Sequence, residues 1–307
     1  TGMSNKEFVI ADVFTEKRFG GNQLAVFIDG TGLDQETMQT IAREMHFSET
    51  TFLFPPEQGG DYRVRIFTPE SELPFAGHPI VGTANVIVAM ELKSMSEPLT
   101  LITLETGVGL IEVEIETAGG QAGHTVMTQP LPEVRGQYAN IAALAKSLRL
   151  DAADIEATGL PVEIFYNGIP VMIVPVASRA AIERIKLDSG ALEDICSEVG
   201  AKTVLVFTTE TVQPASTAHC RVFAPVAGVP EDAATGSANG PFGFYLVRHR
   251  VVDVEPTTRI LSEQGFEMNR PSLLHIEVDV DTETGNATAV RVGGGVVIAG
   301  KGEIFLS

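Results

Sequence analysis

Apolar and polar positions along the chain alternate in ways that mark short strands and a few helices. Residues 8–14 and 24–28 have strand composition and are joined through the turn Gly20-Gly-Asn22. After Asp34, a good helix N-cap, Met38, Ile41, Ala42 and Met45 fall at i, i+3, i+4 and i+7. That spacing predicts an amphipathic helix ending near His46. Residues 50–54 and 62–68 read as strands, so Glu49 falls where a helix gives way to a strand. Residues 79–90 are apolar on almost every side, which predicts a buried helix too short to cross a bilayer. Strand-like runs follow around 99–104, 110–116 and 124–128, separated by glycine turns. Beyond Gln129-Pro-Leu-Pro132, helices are expected over 138–148 and 191–199, with a short one opening at Asp151. Strands are expected over 163–166, 171–175, 203–207 and 218–223. Residues 236–247 form a second apolar helix, with Pro241 in its first turns, where a missing N–H costs least. From Thr257 onward the pattern is strand and turn, finishing with 289–298 and 303–306.

The two apolar helices belong to stretches that echo each other. Arg65-Ile-Phe-Thr-Pro69 returns 156 residues later as Arg221-Val-Phe-Ala-Pro225, and Gly82-Thr-Ala-Asn85 returns 154 residues later as Gly236-Ser-Ala-Asn239. In each copy a strand runs into a proline-containing loop and then into small residues that open an apolar helix. This is the mark of an internal duplication. The expected fold is α+β with two pseudo-symmetric domains, residues 1–127 plus 290–307 and residues 128–289. A sheet curled around each apolar helix would bury it.

Composition narrows the function. The 307 residues carry 21 basic and 40 acidic side chains, a formal charge of −19, which disfavours nucleic acid as a partner. No run of 18 apolar residues suggests a membrane span, and no signal peptide is apparent. Thr1-Gly-Met3 reads as an expression scar. Cys196 and Cys220 are the only cysteines and lack metal-ligand spacing, so a cytoplasmic location is expected. Gly293-Gly-Gly295 leads into another strand rather than a helix, which removes the context of a dinucleotide fingerprint. Asn286-Ala-Thr288 matches a glycosylation acceptor, but by chance if no signal peptide precedes it.

Candidate chemistry gathers where the apolar helices begin. Ala76-Gly-His-Pro79 and Ala234-Thr-Gly-Ser237 place small residues and backbone N–H groups at helix heads, which attract anions. Equally, small residues there could serve only close packing and capping. Glu49, His78 and Asp232 are the titratable residues nearest these points. Taken singly, each has an ordinary structural alternative: a surface carboxylate, a hydrogen-bonded core histidine and a helix N-cap. Their positions lift them, because His78 and Asp232 are read as lying in equivalent loops of the two copies. As metal ligands they would be a sparse set, one histidine with two carboxylates and no paired motif, so no metal is expected.

The ordered set Phe14, Gly20-Gly-Asn22, Ala25-Val26, Phe47-Ser-Glu-Thr-Thr-Phe52, Arg65-Ile-Phe-Thr-Pro69, Phe75-Ala-Gly-His-Pro79, Glu231-Asp-Ala-Ala-Thr-Gly-Ser-Ala238, Ser262-Glu-Gln-Gly265, Arg270-Pro-Ser272 and Val292-Gly-Gly294 resembles the PhzF family of phenazine-biosynthesis-like proteins. It spans almost the whole chain. One departure is Ala233, where the family's motif usually has proline. The resemblance implies a diaminopimelate epimerase-like fold, in which each domain is a mostly antiparallel barrel-like sheet around a central helix. It also implies a cleft active site, commonly a homodimer, and no cofactor. Carried over residue by residue, it makes Glu49 the proton-moving acid/base, with His78 and Asp232 assisting or orienting. Gly77, Gly236 and Ser237 would bind a small anionic metabolite. Epimerase relatives place two thiols at the central helix heads, whereas here the comparable places hold Gly77 and Asp232, so a two-thiol racemase is disfavoured. The expected function is therefore an isomerase that moves a proton by double-bond migration or epimerisation. For this, the Glu49 carboxyl needs a pKa raised toward neutrality. The alternative is a non-catalytic small-carboxylate-binding protein of the same fold.

Overall fold

The computed structural model describes residues 5–306; Thr1-Gly-Met3 lies outside them. The chain divides into two compact units, Thr1–Met127 with Gly293–Ser307, and Thr128–Val292. The first unit runs through β1 (Lys6–Val13), β2 (Asn22–Phe27), α1 (Gln35–Met45), β3 (Glu49–Phe54), β4 (Tyr62–Phe67), β5 (Glu72–Leu73), α2 (Gly77–Ala89), β6 (Leu99–Thr106), β7 (Gly109–Ala118) and β8 (Gln121–Gln129). The second adds β9 (Glu133–Gln137), α3 (Ile141–Leu148), α4 (Ala152–Glu156), β10 (Glu163–Tyr166), β11 (Pro170–Pro175), α5 (Arg179–Glu183), α6 (Ser189–Val199), β12 (Thr203–Thr208), β13 (Ala218–Ala224), β14 (Val229–Asp232), α7 (Gly236–Arg248), β15 (Thr257–Gln264), β16 (Ser272–Val280) and β17 (Ala287–Gly294). The chain then closes the first unit with β18 (Val296–Ile304).

The duplication expected from sequence is visible strand by strand. β2 and β3 pair parallel, β3 and β4 antiparallel, and β4 then holds β5 antiparallel and β6 parallel. In the second unit β11 and β12 pair parallel and β12 and β13 antiparallel, and β13 holds β14 antiparallel and β15 parallel. Most other pairings within a unit are antiparallel, among them β1–β2, β6–β7 and β15–β16. The repeated arginines do the same job in each copy. Arg65 grips Glu72 through Nε and Nη2 at 2.7 and 2.6 Å, and Arg221 grips Glu231 through the same two atoms at 2.8 Å. Each two-pronged fork ties β4 to β5, or β13 to β14, in a fixed plane.

Each unit folds around its apolar helix. Gly77 to Val88 of α2 are all buried, against β1, β2, β3, β6, β7 and β18. Helix α7 packs on β11, β12, β15 and β16. The opposite sheet faces are covered by amphipathic helices. Met38, Ile41 and Ala42 of α1 join Phe27, Phe52, Phe54 and Phe67 in one core. In the second unit α3, α5 and α6 contribute Leu144, Leu148, Ile182, Leu192 and Cys196 to another. Among the described residues, no helix is long and apolar enough to cross a membrane.

Several boundaries differ from the sequence expectation. The helix expected over 138–148 begins at Ile141, because the Asn140 side chain caps it by accepting from the Ala143 N–H. Tyr138 N–H is instead committed to Val162 O. The last long strand is two strands, interrupted at Gly295, whose carbonyl accepts from the backbone N–H groups of Phe14 and Thr15. The short elements β5, β9, β14 and α5 have no readable period in the sequence. Pro241 lies in the body of α7, as its sixth residue, rather than at a cost-free first turn. The bond it cannot make is replaced: Asn167 Nδ2 donates to Ser237 O, four residues back, at 3.2 Å.

Candidate active site

Glu49 is the first residue of β3, and His78 the second residue of α2. Both belong to the first unit. β2 and β3 run in parallel register, Leu24 opposite Glu49. Helix α2 approaches β1 and β2 closely because Gly82 lacks a side chain; a Cβ there would lie 2.6 Å from Val13 Cγ2 and 2.7 Å from Leu24 Cδ2. His78 Nε2 then sits 3.5 Å from Glu49 Oε2. On the other edge of the ring, Asn22 Nδ2 is 3.4 Å from His78 Nδ1, and Ser48 Oγ donates to Asn22 Oδ1 at 2.9 Å. Donation from Asn22 to Nδ1 leaves the ring proton on Nε2, facing the carboxylate.

Burial governs this pair. Among the described residues Glu49 Oε2 is enclosed with no hydrogen-bond partner, and only 16 % of the side chain is exposed. Desolvation pushes the Glu49 carboxyl up to about 7 from its ordinary value near 4.5, with the neighbouring Ser48 working the other way. A carboxyl so poised can take and return a proton near neutral pH.

In the second unit, Asp232 ends β14, and Gly236 and Ser237 are the first two residues of α7. Asp232 Oδ2 accepts from Thr235 Oγ1 at 2.5 Å. Gly236 O accepts from Gln129 Nε2 at 2.9 Å, and Gln129 Oε1 accepts from Asn167 Nδ2 at 3.0 Å. Gly240 makes room for this brace, since a Cβ there would meet Gln129 Oε1 at 2.0 Å. The surface helices α1, α3, α5 and α6 are capped by Asp34, Asn140, Ser178 and Asp188. The two central helices have no side-chain cap bond at their N-caps, Ala76 and Thr235. Uncapped heads of this kind favour anions.

The placement corrects one inference from the repeat. α2 and α7 each have 13 residues, and from their first residues Gly77 matches Gly236 and His78 matches Ser237. Asp232, opposite Val222 in β13, matches Leu73, opposite Ile66 in β4. His78 and Asp232 are therefore not at equivalent positions. Gly82-Thr-Ala-Asn85 lies mid-helix while Gly236-Ser-Ala-Asn239 opens its helix, so that sequence match is out of register with the fold. Gly82 is a packing residue. Asp232 does not cap α7; Thr235 occupies that position. Asn22, Ser48, Thr235, Asn239 and Gln264 all stand inside the sequence motifs, but nothing in the sequence marks them as site residues. Neither cysteine is at a central helix head. Cys196 on α6 and Cys220 on β13 are buried, which pushes the Cys196 thiol up to about 11 and the Cys220 thiol further up. Among the described residues no group of three or more His, Cys, Asp or Glu is arranged to hold a metal ion.

Two units, each a mostly antiparallel sheet around one buried helix, define a diaminopimelate epimerase-like fold. A probable proline racemase from Agrobacterium radiobacter shares it, with a TM-score of 0.69 at 14 % identity over 98 % of this chain and 93 % of that one. A family model described as phenazine biosynthesis-like protein matches residues 11–302. The PhzF-family protein of Bacillus anthracis superposes with a TM-score of 0.89 at 27 % identity, covering 99 % of this chain and 100 % of that one. A trans-2,3-dihydro-3-hydroxyanthranilate isomerase of Pseudomonas fluorescens is 37 % identical over 97 % of this chain and 99 % of its own length. An uncharacterized isomerase of Mesorhizobium japonicum is 34 % identical over 99 % and 100 %. The chain belongs to the PhzF family, and it is an isomerase.

Proposed function

We propose that this isomerase moves a proton within a small anionic metabolite, with Glu49 as the acid/base and no external cofactor. The observation that carries the reading is the enclosed Glu49 carboxyl, raised to about 7 and 3.5 Å from His78 Nε2. Ionised Glu49 takes a proton from a carbon next to an unsaturated or carboxyl-bearing centre and returns it elsewhere on the same molecule. His78 assists by keeping an N–H toward the carboxylate, which stabilises the charge as the proton leaves. Asp232 orients the substrate. Gly77, Gly236 and Ser237 bind its anionic group through uncapped helix heads, which would let a chain of charge −19 hold an acid. A single carboxylate suits removal and return of the proton on one face, which favours double-bond migration over two-base racemisation.

The first compound to try is trans-2,3-dihydro-3-hydroxyanthranilate, named for the Pseudomonas relatives. Turnover in heavy water should place deuterium in the recovered product. Glu49→Gln should lose about 100- to 10,000-fold in that rate, the usual worth of a positioned acid/base. A Glu49→Gln protein with wild-type turnover would sink the mechanism. Binding by the wild-type chain with no exchange of any tested acid would favour the non-catalytic binding protein instead.

A further inference from the structure

The amide of Gln264, a fully buried residue at the end of β15, is held by four polar groups that together fix the direction of a hydroxyl proton beside Asp232. Its Oε1 accepts from the Thr235 backbone N–H at 3.2 Å and from Asn239 Nδ2 at 3.0 Å. Its Nε2 donates to Asp232 O at 2.8 Å and to Thr235 Oγ1 at 3.0 Å. The orientation is not arbitrary. A backbone N–H can only donate and a backbone carbonyl can only accept, so Thr235 N and Asp232 O leave the amide one way round. Asn239 is fixed likewise, because its Nδ2 also donates to Thr235 O at 3.0 Å. With Thr235 Oγ1 accepting from Gln264, its single hydrogen must go to Asp232 Oδ2, 2.5 Å away.

We infer that Gln264 is a positioning residue, which acts through the Thr235 hydroxyl to set the orientation of the Asp232 carboxyl. The inference rests on the reading of Asp232 as substrate-orienting. Its local frame is a buried ionic clamp on the adjoining residues. His219 Nδ1 meets Glu263 at 2.8 Å and its Nε2 meets Glu267 at 2.7 Å. Glu263 precedes Gln264 and also accepts from the backbone N–H groups of Val212 and Gln213. Among the described residues the first unit has no such relay. There the positions of Asp232, Thr235 and Gln264 are held by Leu73, Ala76 and Thr106.

Gln264→Glu keeps the shape but replaces the donating NH2 with an acceptor, so the Thr235 hydroxyl is drawn away from Asp232. Proton NMR should find an exchange-protected Thr235 hydroxyl resonance in the wild type, absent in Thr235→Val and shifted or lost in Gln264→Glu. An unmoved resonance in folded Gln264→Glu overturns the inference without any substrate. With trans-2,3-dihydro-3-hydroxyanthranilate, Gln264→Glu and Thr235→Val should each lower kcat/KM by about tenfold or more, the worth of one charge-assisted hydrogen bond. The double variant should fall no further than the worse single one, and Thr235→Ser should recover most of the loss. Losses that multiply, or wild-type turnover in Gln264→Glu, overturn it. Asp232→Asn separates the two claims: full turnover in that variant sinks the role given to Asp232, whereas a crippled Asp232→Asn beside an active Gln264→Glu sinks only Gln264.

Discussion

The residue that begins β3 is Glu49, and the second residue of α2 is His78; the same two places in the second unit hold Thr203 and Ser237. Conversely, Asp232, Thr235 and Gln264 of the second unit stand where the first has Leu73, Ala76 and Thr106. What the units share is framework. Both have the arginine fork, and both have a glutamate next to the parallel strand pair that ties a loop through its backbone N–H groups. Glu105 accepts from Glu57, Gln58 and Gly60, and Glu263 accepts from Val212 and Gln213. What they do not share lies at strand ends and helix heads. The lesson is a division of labour on one frame: a titratable pair in one copy, a network of amides and hydroxyls in the other. Positions that face the sheet core cannot diverge cheaply, whereas those at element ends can.

The sharpest way to break this comparison is to give one unit the other's residue. Glu49→Thr should abolish proton transfer to the same extent as Glu49→Gln, about 100- to 10,000-fold in deuterium incorporation. Thr203→Glu in the same chain should not restore it, because the second unit supplies Ser237 rather than an imidazole. Next in size is the clamp behind Gln264. Burial disfavours the His219 cation, but Glu263 and Glu267 outweigh it and raise the ring to about 9. A folded pKa above the unfolded 6.5 means that this stabilisation is fully present below pH 6.5 and lost as pH rises through 9. His219→Ala should cost about 3–5 kcal/mol in urea unfolding at pH 7, since it leaves buried Glu263 and half-buried Glu267 without their cation. It should also flatten the alkaline loss.

Glu49 adds a penalty rather than a gain, with the same direction of pH dependence in a lower window. Its folded pKa is raised, so the folded state keeps its proton longer than the unfolded chain. The penalty is absent below about pH 4.5 and grows as pH rises to 7, reaching on the order of 3 kcal/mol. Glu49→Gln should therefore unfold at higher urea than wild type at pH 8 and not at pH 4. Smallest is the brace at Pro241. Asn167→Leu strips Ser237 O of its replacement donor and should cost about 1–3 kcal/mol, measured by the same unfolding curves.

Much of this was legible in the chain itself. The Arg-x-Phe-x-Pro repeat located β4 and β13, and the apolar stretches located α2 and α7, because those signals are local. Glu49 could be singled out from the helix-to-strand junction and its motif. The sequence could say only that its pKa must be raised; the burial that raises it exists only in the folded chain. The Gly-x-Ala-Asn match misled because small residues recur for unrelated reasons: Gly82 for close packing, Gly236 at a helix head. Gln264 escaped notice because it meets Asp232 and Thr235 only when β13 and β15 align, and a buried amide leaves no periodicity behind. Asn85 and Asn239 look alike in sequence, yet the first bonds Gly123 O and Thr125 Oγ1 and the second the Gln264 relay.

The most direct test of the account needs no substrate. With carbon-13 in the glutamate carboxyls and Glu49→Gln to assign the signal, the Glu49 titration can be followed by NMR from pH 4 to pH 9. The account predicts a midpoint of about 7. A midpoint near 4.5, the ordinary value of a solvated glutamate, would contradict it and remove Glu49 as the proton carrier at neutral pH.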